Sequence, residues 1–109
     1  NFKDFPLKLP SEKKNVINTY HLYPVLIKTN NKNLNRDNFY KILLKKGIKT
    51  NIHYIPVYNH PYYKKFNYNR KLFPNNEFYF RNTISLPIFP GLNLKEINYI
   101  IKTVKLILK

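Results

Sequence analysis

The strongest constraint on the fold is a helical pattern that ends at a glycine and passes directly into an alternating segment. Asn35 is a favourable helix N-cap, and apolar residues recur at helical spacing from Phe39 until Gly47. Glycine adopts the left-handed conformation that ends many helices without steric cost. Residues 48–54 then alternate in polarity, which predicts a strand. Its polar face is predicted to carry Lys49, Asn51 and His53, opposite Ile48, Thr50, Ile52 and Tyr54.

Three further elements complete the predicted domain. Residues 20–28 are a strand candidate with apolar side chains on both faces, and Pro24 indicates a sheet edge or a bulge. Residues 83–86 are predicted to form a third strand, and a final helix follows Asn93, with Glu96 at capping-box spacing. The apolar stripe of that helix is predicted to be Leu94, Ile97, Ile101, Val104 and Leu108. This order of elements predicts an α+β domain, a small sheet with helices packed on one face.

Two segments are predicted to be less regular. Residues 1–18 are polar and contain two prolines, so they are interpreted as an extended lead-in or linker to a domain spanning residues 19–109. Residues 55–81 are rich in proline and aromatic side chains, which favours an irregular but ordered segment with short helical turns. The later of these turns is predicted near residues 75–80.

Composition narrows the class of protein. A chain of 109 residues allows one domain, and it contains no apolar run long enough to span a membrane. We expect no signal peptide and, since the chain has no Cys for disulfides, a cytoplasmic protein. Because it begins with Asn1 rather than Met, we expect a processed chain or a fragment.

The net charge of +15 admits two interpretations. One is an anionic partner such as nucleic acid, and the other is a composition biased towards Lys and Asn. The lysines are scattered in pairs and form no single block. The aromatic residues of segment 54–80 are interleaved with basic ones, as in a base-stacking platform, but no RNA-binding motif accompanies them. A stand-alone basic α+β module that binds RNA or another polyanion is thus the alternative hypothesis, with nucleic-acid binding expected to be non-specific.

Few residues could carry chemistry. The spacings of His21, His53 and His60 match no standard zinc pattern, so no metal site is predicted. Five carboxylates, most of them near predicted helix ends, make a two-carboxylate mechanism improbable, and two isolated glycines exclude a glycine-rich phosphate loop. His53 lies at the end of a predicted strand, just before a loop fixed by Pro56, where rigid structure delivers polar groups to clefts. It is therefore a candidate ligand-binding residue.

Four short motifs occur in an order that resembles a known family. They are His53-Tyr54-Ile55-Pro56, Pro61-Tyr62-Tyr63, Phe73-Pro74-Asn75 and Ser85-Leu86-Pro87. From about His21 to the last residue, the chain resembles the C-terminal domain of the DegT/StrS family of pyridoxal-phosphate-dependent nucleotide-sugar aminotransferases. Within that family it is most similar to the enzymes of pseudaminic-acid-type pathways, which act on a UDP-linked 4-keto sugar.

The resemblance implies a fold, a parent enzyme and a set of substrate contacts. The fold would be the small domain of a fold-type I pyridoxal-phosphate-dependent transferase. Its parent, a homodimer, would transfer an amino group, from glutamate, to a nucleotide-linked keto sugar in surface glycan biosynthesis. His53, Tyr54 and Tyr62 would contact the substrate. The Schiff-base lysine and the cofactor cradle would belong to the large domain, so no catalytic or cofactor-binding residue is expected here. The chain departs from the family pattern at Tyr58, where many relatives have His.

Overall fold

A three-stranded antiparallel sheet organises the computed structural model, which describes residues 1–29 and 31–109. The strands are β1 (Leu7–Lys8), β2 (Tyr23–Ile27) and β3 (Thr83–Leu86), in the order β1-β2-β3. The predicted strand at residues 83–86 is confirmed, and the one at 20–28 is confirmed with shorter bounds. The segment 1–18, interpreted as a lead-in, contributes β1 to the sheet and two buried side chains, Phe2 and Leu7, to the core.

Helices account for most of the remaining regular structure. The α-helices are α1 (Arg36–Lys45), α2 (Pro61–Lys64), α3 (Pro74–Asn82) and α4 (Leu94–Leu108). Turns of 3-10 helix lie at Lys32–Leu34, Val57–Asn59 and Arg70–Leu72. The short helical turns predicted within residues 55–81 are confirmed, and α3 is the longest of them. Across the part of the chain that the structure describes, no helix has the length and apolar character needed to span a bilayer.

Helix α1 ends as its sequence predicts. The Asn35 side chain accepts a hydrogen bond from the Asn38 N–H, and Gly47 has a φ of +74°. The Ile48 N–H bonds back to the Leu43 carbonyl, and the Gly47 N–H bonds to the carbonyl one residue further along the helix. These two bonds form a Schellman motif, whose apolar contact is made by Ile48 and Leu43 in the core. The chain therefore leaves α1 in a direction fixed by backbone hydrogen bonds.

The predicted strand at residues 48–54 is wrong, because this segment makes a single bridge, between Asn51 and Ser85. The next hydrogen-bonded positions on β3 would be Thr83 and Pro87. The Thr83 N–H already bonds to the Tyr79 carbonyl at the end of α3, and Pro87 has no N–H. Each flanking pair therefore lacks one of its two hydrogen bonds, which disfavours extension of the ladder in both directions.

The alternation of side chains survives in this segment, although the ladder does not. Ile48 and Thr50 are buried, whereas Lys49 and Asn51 are exposed. Tyr54, predicted to share the buried face, is 73% exposed. The reason is that the bridged region ends before it and the chain turns into the loop that starts at Pro56.

The core lies between one face of the sheet and the two longest helices, α1 and α4. Val25 and Ile84 are paired across β2 and β3 and are fully buried, as are Phe39 of α1 and Val104 of α4. The capping box of Asn93 and Glu96 forms as predicted. The remaining core side chains are Phe2, Leu7, Ile27, Leu43, Ile48, Leu86 and Leu108.

One residue of the predicted α4 stripe was misplaced. Leu94 is 76% exposed, whereas Ile97 and Ile101 are partly buried. The buried face of α4 is turned towards Ile100 and Thr103, which leaves Leu94 at its margin. Helical periodicity identifies the stripe, but its exact centre depends on where the sheet lies.

Pro24 lies in β2 at a position where its missing N–H costs no hydrogen bond to β3. Its partner in the register is Ser85, whose N–H and carbonyl both bond to Asn51 on the other side of β3. Pro24 and Ser85 therefore form a non-hydrogen-bonded pair, and the backbone of Pro24 faces away from β3. On that side β1 reaches only to Leu26. Within residues 1–29 and 31–109, β2 is the central strand of the sheet, not the edge strand that was one of the two predictions from Pro24, and its backbone at Pro24 lies beyond the reach of β1.

Candidate functional site

His53 is held in place by a hydrogen bond to a buried side chain. Its Nδ1 lies 2.9 Å from the Oγ of Ser85, which is only 4% exposed. The extended segment that carries His53 is anchored just before it by the buried side chains of Ile48 and Thr50 and by the backbone bridge at Asn51. Among the described residues, Nε2 of His53 has no hydrogen-bond partner. The ring thus has a fixed orientation and a second nitrogen available to a ligand.

An open cleft of about 240 Å³ adjoins this ring. Its polar lining consists of His21, Lys49, Asn51, His53 and Ser85. The prediction that Lys49, Asn51 and His53 share a face is therefore confirmed, since all three line this cleft. His21, interpreted from the sequence as a structural histidine, is exposed and lines it as well.

The structure brings together two of the three predicted substrate-contacting residues. The ring of Tyr54 packs edge-on against His53, with centroids 4.7 Å apart, across a cis peptide bond. Tyr62 is 64% exposed, and its ring contacts are with Tyr63, Phe66 and the Lys65 ammonium group, 4.1 Å above it. Tyr62 thus belongs to a second aromatic group at α2.

Besides His21, three polar residues of the cleft were not predicted as site residues. Ser85 was recognised only as part of a motif, because its contact with His53 spans 32 positions of sequence. Lys49 and Asn51 carried a usable signal, since the alternation already placed them on the face of His53. The alternating pattern in the sequence therefore identified the face that carries His53. The hydrogen bond between His53 and Ser85 could be found only from the three-dimensional structure.

A second polar network fixes the loop that follows His53. The Tyr58 hydroxyl donates to Glu77 Oε1 at 2.6 Å, and the Tyr58 ring stacks on Phe73 at 5.2 Å. The other carboxylate oxygen of Glu77 accepts from Arg81 at 3.0 Å. The hydrogen bond from Tyr58 lowers the pKa of Glu77, and burial together with that bond raises the pKa of Tyr58. Tyr58 thereby ties this loop to α3.

Replacing Tyr58 by phenylalanine is expected to raise the pKa of Glu77 towards its ordinary value, because the largest cause of its lowering is removed. In the wild type the carboxylate contributes stability above the ordinary Glu pKa, and this contribution is lost as pH falls through the lowered folded-state value. In Tyr58→Phe this contribution is therefore smaller, and its loss is complete at a higher pH. Carbon-13 NMR titration of the Glu77 carboxyl group measures the shift, with Tyr63→Phe as the control. An unchanged titration would assign the lowered pKa to Arg81 instead.

The two glycines of the chain, Gly47 and Gly91, lie far apart in sequence. A phosphate cradle needs backbone amides that approach closely around glycines. A Cβ added at Gly47 would meet nothing within 4 Å, and one added at Gly91 would meet only the ring of Phe89. The two glycines therefore do not form the glycine-rich loop that cradles a phosphate. Within residues 1–29 and 31–109 there is also no group of three or more metal-ligating side chains.

The family comparison gives a single answer over almost the whole chain. Residues 1–105 match the model of the DegT/DnrJ/EryC1/StrS aminotransferase family. Two curated relatives are similar in sequence. The uncharacterized protein MJ1066 of Methanocaldococcus jannaschii is 39% identical over 97 residues, covering 88% of this chain and 25% of that protein. The spore coat polysaccharide biosynthesis protein SpsC of Bacillus subtilis is 34% identical over 92 residues, covering 83% and 24%.

Solved structures agree with the fold. The putative sugar aminotransferase Spr1654 of Streptococcus pneumoniae superimposes with a TM-score of 0.83 at 26% identity, over 97% of this chain and 27% of that one. Helicobacter pylori PseC, an aminotransferase involved in the biosynthesis of pseudoaminic acid, does so with a TM-score of 0.72 at 29% identity, over 81% and 23%. The predicted α+β fold and the predicted family are thus confirmed. The chain spans about a quarter of the length of the curated relatives it matches.

Proposed function

Because the chain belongs to the DegT/DnrJ/EryC1/StrS aminotransferase family, we propose that it is the C-terminal small domain of a nucleotide-sugar aminotransferase. The parent enzyme transfers an amino group, from glutamate, to a nucleotide-linked keto sugar used in surface glycan biosynthesis. The large domain of that enzyme is the partner of this chain, and the complete enzyme is a homodimer in the cytoplasm. Family membership favours this hypothesis over the stand-alone polyanion-binding module.

The observation that carries the proposal is the fixed imidazole of His53 at the mouth of a polar cleft. Ser85 holds Nδ1 at 2.9 Å, and Nε2 has no hydrogen-bond partner among the described residues. A neutral imidazole nitrogen hydrogen-bonds a sugar hydroxyl or a phosphate oxygen as donor or acceptor. Tyr54, packed against it and largely exposed, supplies an aromatic wall with a polar tip. In this proposal Tyr62 adds a further substrate contact from the α2 group.

The role of this chain is to bind and orient the sugar nucleotide, not to hold the cofactor. Pyridoxal phosphate supplies the amino-group chemistry in such enzymes, and its lysine and phosphate cradle lie in the large domain. Rigid support matters for this role, because small misplacements of a bound substrate cost large factors in rate. The hydrogen bond between Ser85 and His53 and the one from Tyr58 to Glu77 provide that support on either side of Tyr54.

The test is an amino-transfer assay on the complete enzyme that contains this chain. With glutamate as donor, we expect turnover of nucleotide-linked 4-keto sugars and none of the free sugars. Turnover of a keto acid unrelated to sugars, with no activity on sugar nucleotides, would contradict the proposed substrate class.

The isolated chain is expected not to form a specific covalent adduct with pyridoxal phosphate. Its glycines form no phosphate cradle, so its lysines should react only as scattered surface amines. Borohydride trapping followed by peptide mass spectrometry measures the sites and the stoichiometry. Saturable labelling of a single lysine at one equivalent per chain would show that the cofactor site lies within these residues.

A further inference from the structure

A continuous stretch of this chain adds nothing to the core. Pro56 and Thr83 are buried, but none of the residues 57–82 between them is, although they form two α-helices and two turns of 3-10 helix. The radius of gyration of the chain is 15.7 Å, whereas a compact domain of about 100 residues has roughly 13 Å. Residues 57–82 therefore form an arm that lies beside the body of the domain.

The arm is held in one shape by its own polar contacts. Besides the hydrogen bond that Tyr58 donates to α3, Nη2 of Arg70 donates to Oδ1 of Asn59 at 2.6 Å. Arg36 fastens the arm to the body, since its Nη1 donates to the Phe80 carbonyl at 3.0 Å and its guanidinium group lies 5.2 Å from the centre of the Phe80 ring. Because the arm is already ordered, a partner that covers it loses little to conformational entropy.

The arm exposes large apolar and aromatic side chains to solvent. Besides Tyr62, those that are more than half exposed are Val57, Phe66, Tyr68, Leu72 and Phe78. Single exposed apolar residues need no explanation, but such a concentration on one segment marks an interaction surface. The charged residues of the arm are five Lys or Arg and one carboxylate, which gives it a net charge of +4.

We propose that the arm docks on the large domain of the complete enzyme, through a surface there that is apolar at its centre and acidic at its rim. This inference rests on the proposed function and deepens it, because it assigns residues to the contact between the two domains. The chain spans about a quarter of the length of its curated relatives, so most of such an enzyme lies outside it.

Charge argues against a second copy of this chain as the occupant. Two copies of the arm would each bring a charge of +4 to the interface, and like charges across an interface cost free energy. Three of the five carboxylates of the chain are engaged by an arginine or a helix cap, those of Asp37, Glu77 and Glu96. The other two, Asp4 and Glu12, lie in the N-terminal segment. The acidic complement of the arm is therefore expected outside this chain.

The packing of the rings argues against single-stranded nucleic acid as the occupant. A base-stacking platform needs open ring faces. In the arm, the Tyr62 ring packs edge to face with Tyr63 and Phe66, at centroid distances of 5.2 and 6.2 Å. The Lys65 ammonium group lies 4.1 Å from the centre of the Tyr62 ring and covers one of its faces. This arrangement suits the irregular surface of a protein better than a stack of bases.

Site-specific photo-crosslinking in the complete enzyme tests the docking. The probe p-benzoylphenylalanine replaces Phe66 or Leu72 in the arm and, as a control, Leu106 of α4, which is 69% exposed. After irradiation, peptide mass spectrometry identifies what each probe has reached. We expect the probes at Phe66 and Leu72 to capture peptides of the large domain that contain Asp or Glu. The probe at Leu106 should capture those peptides with at least fivefold lower yield.

A pair of matched substitutions shows whether the apolar side chains hold the contact. Leu72→Asp should lower the crosslinking yield of the probe at Phe66 at least fivefold, whereas Leu106→Asp should leave it within twofold. Both leucines are exposed, so neither substitution should unfold the domain, and circular dichroism checks this. Equal losses in the two variants would overturn the proposed surface.

The captured molecule decides between the possible occupants. Crosslinks from the arm to another copy of this domain, nucleotide adducts in place of peptides, or no crosslink at all would each overturn the assignment. An amino-transfer assay on the same enzyme separates this inference from the proposed function. Turnover of sugar nucleotides without crosslinks to the large domain would refute the docking surface alone. Crosslinks to the large domain without such turnover would instead refute the proposed substrate class.

Discussion

Replacing Phe39 by alanine is expected to lower the free energy of unfolding by about 3–5 kcal/mol. Phe39 is fully buried between the sheet and the helices, so its loss removes apolar burial and leaves a cavity. A domain of this size has roughly 5–15 kcal/mol of stability in total. Thermal denaturation followed by circular dichroism should show a decrease in Tm of about 12 °C or more.

The matched control for Phe39→Ala is Leu44→Ala, in the same helix. Leu44 is 47% exposed, so its truncation removes less burial and places the best helix former at that position. The expected cost is less than about 1 kcal/mol. Similar Tm values for the two variants would show that Phe39 is not central to the core.

Replacing His53 by alanine in the complete enzyme is expected to reduce kcat/KM for the keto-sugar nucleotide by about tenfold or more. This corresponds to about 1.4 kcal/mol of lost transition-state stabilisation. The physical reason is the loss of a hydrogen-bonding nitrogen that Ser85 holds in one orientation. Steady-state kinetics on the purified variant measures the loss.

A stability effect of the same substitution has to be separated from the loss of function. In His53→Ala the buried Ser85 hydroxyl loses its partner, which costs about 1–3 kcal/mol. The double variant His53→Ala with Ser85→Ala removes that orphaned hydroxyl as well. We expect its Tm to recover while kcat/KM stays low. Recovery of activity together with Tm would remove His53 from the substrate site and leave it a structural role.

Local signals predicted those parts of the fold that depend on short-range hydrogen bonds. Asn35, Gly47 and Asn93 mark helix ends because capping is a contact between neighbours in sequence. The strand predicted at residues 48–54 failed because the N–H of Thr83 was already bonded to α3 and Pro87 has no N–H, and no window of sequence shows that these two residues flank the bridge at Asn51. The pairing of β1 was missed for a different reason. A strand of two residues is too short to show an alternating pattern in the sequence.

For the candidate site, too, the sequence predicted short-range features but not the contacts between distant residues. The alternation placed Lys49, Asn51 and His53 on one face, and the structure gathers them in one cleft. The contact from His53 to Ser85 and that from Tyr58 to Glu77 join distant positions. Such contacts depend on the register of the strands and on the positions of the helices. The sequence motifs therefore included some of these residues but did not indicate which residues they contact.

Pro24 has a bearing on how this protein behaves in solution. Exposed sheet edges are templates on which another chain can add a strand and begin to aggregate. The open edge of β2 presents Pro24, which offers a carbonyl but no N–H to an approaching strand. An added strand would lose a hydrogen bond at the middle of the exposed stretch, and copies of a chain of charge +15 repel one another before they meet. The residue that looks least suited to a strand thus disfavours the addition of a strand along this stretch of β2.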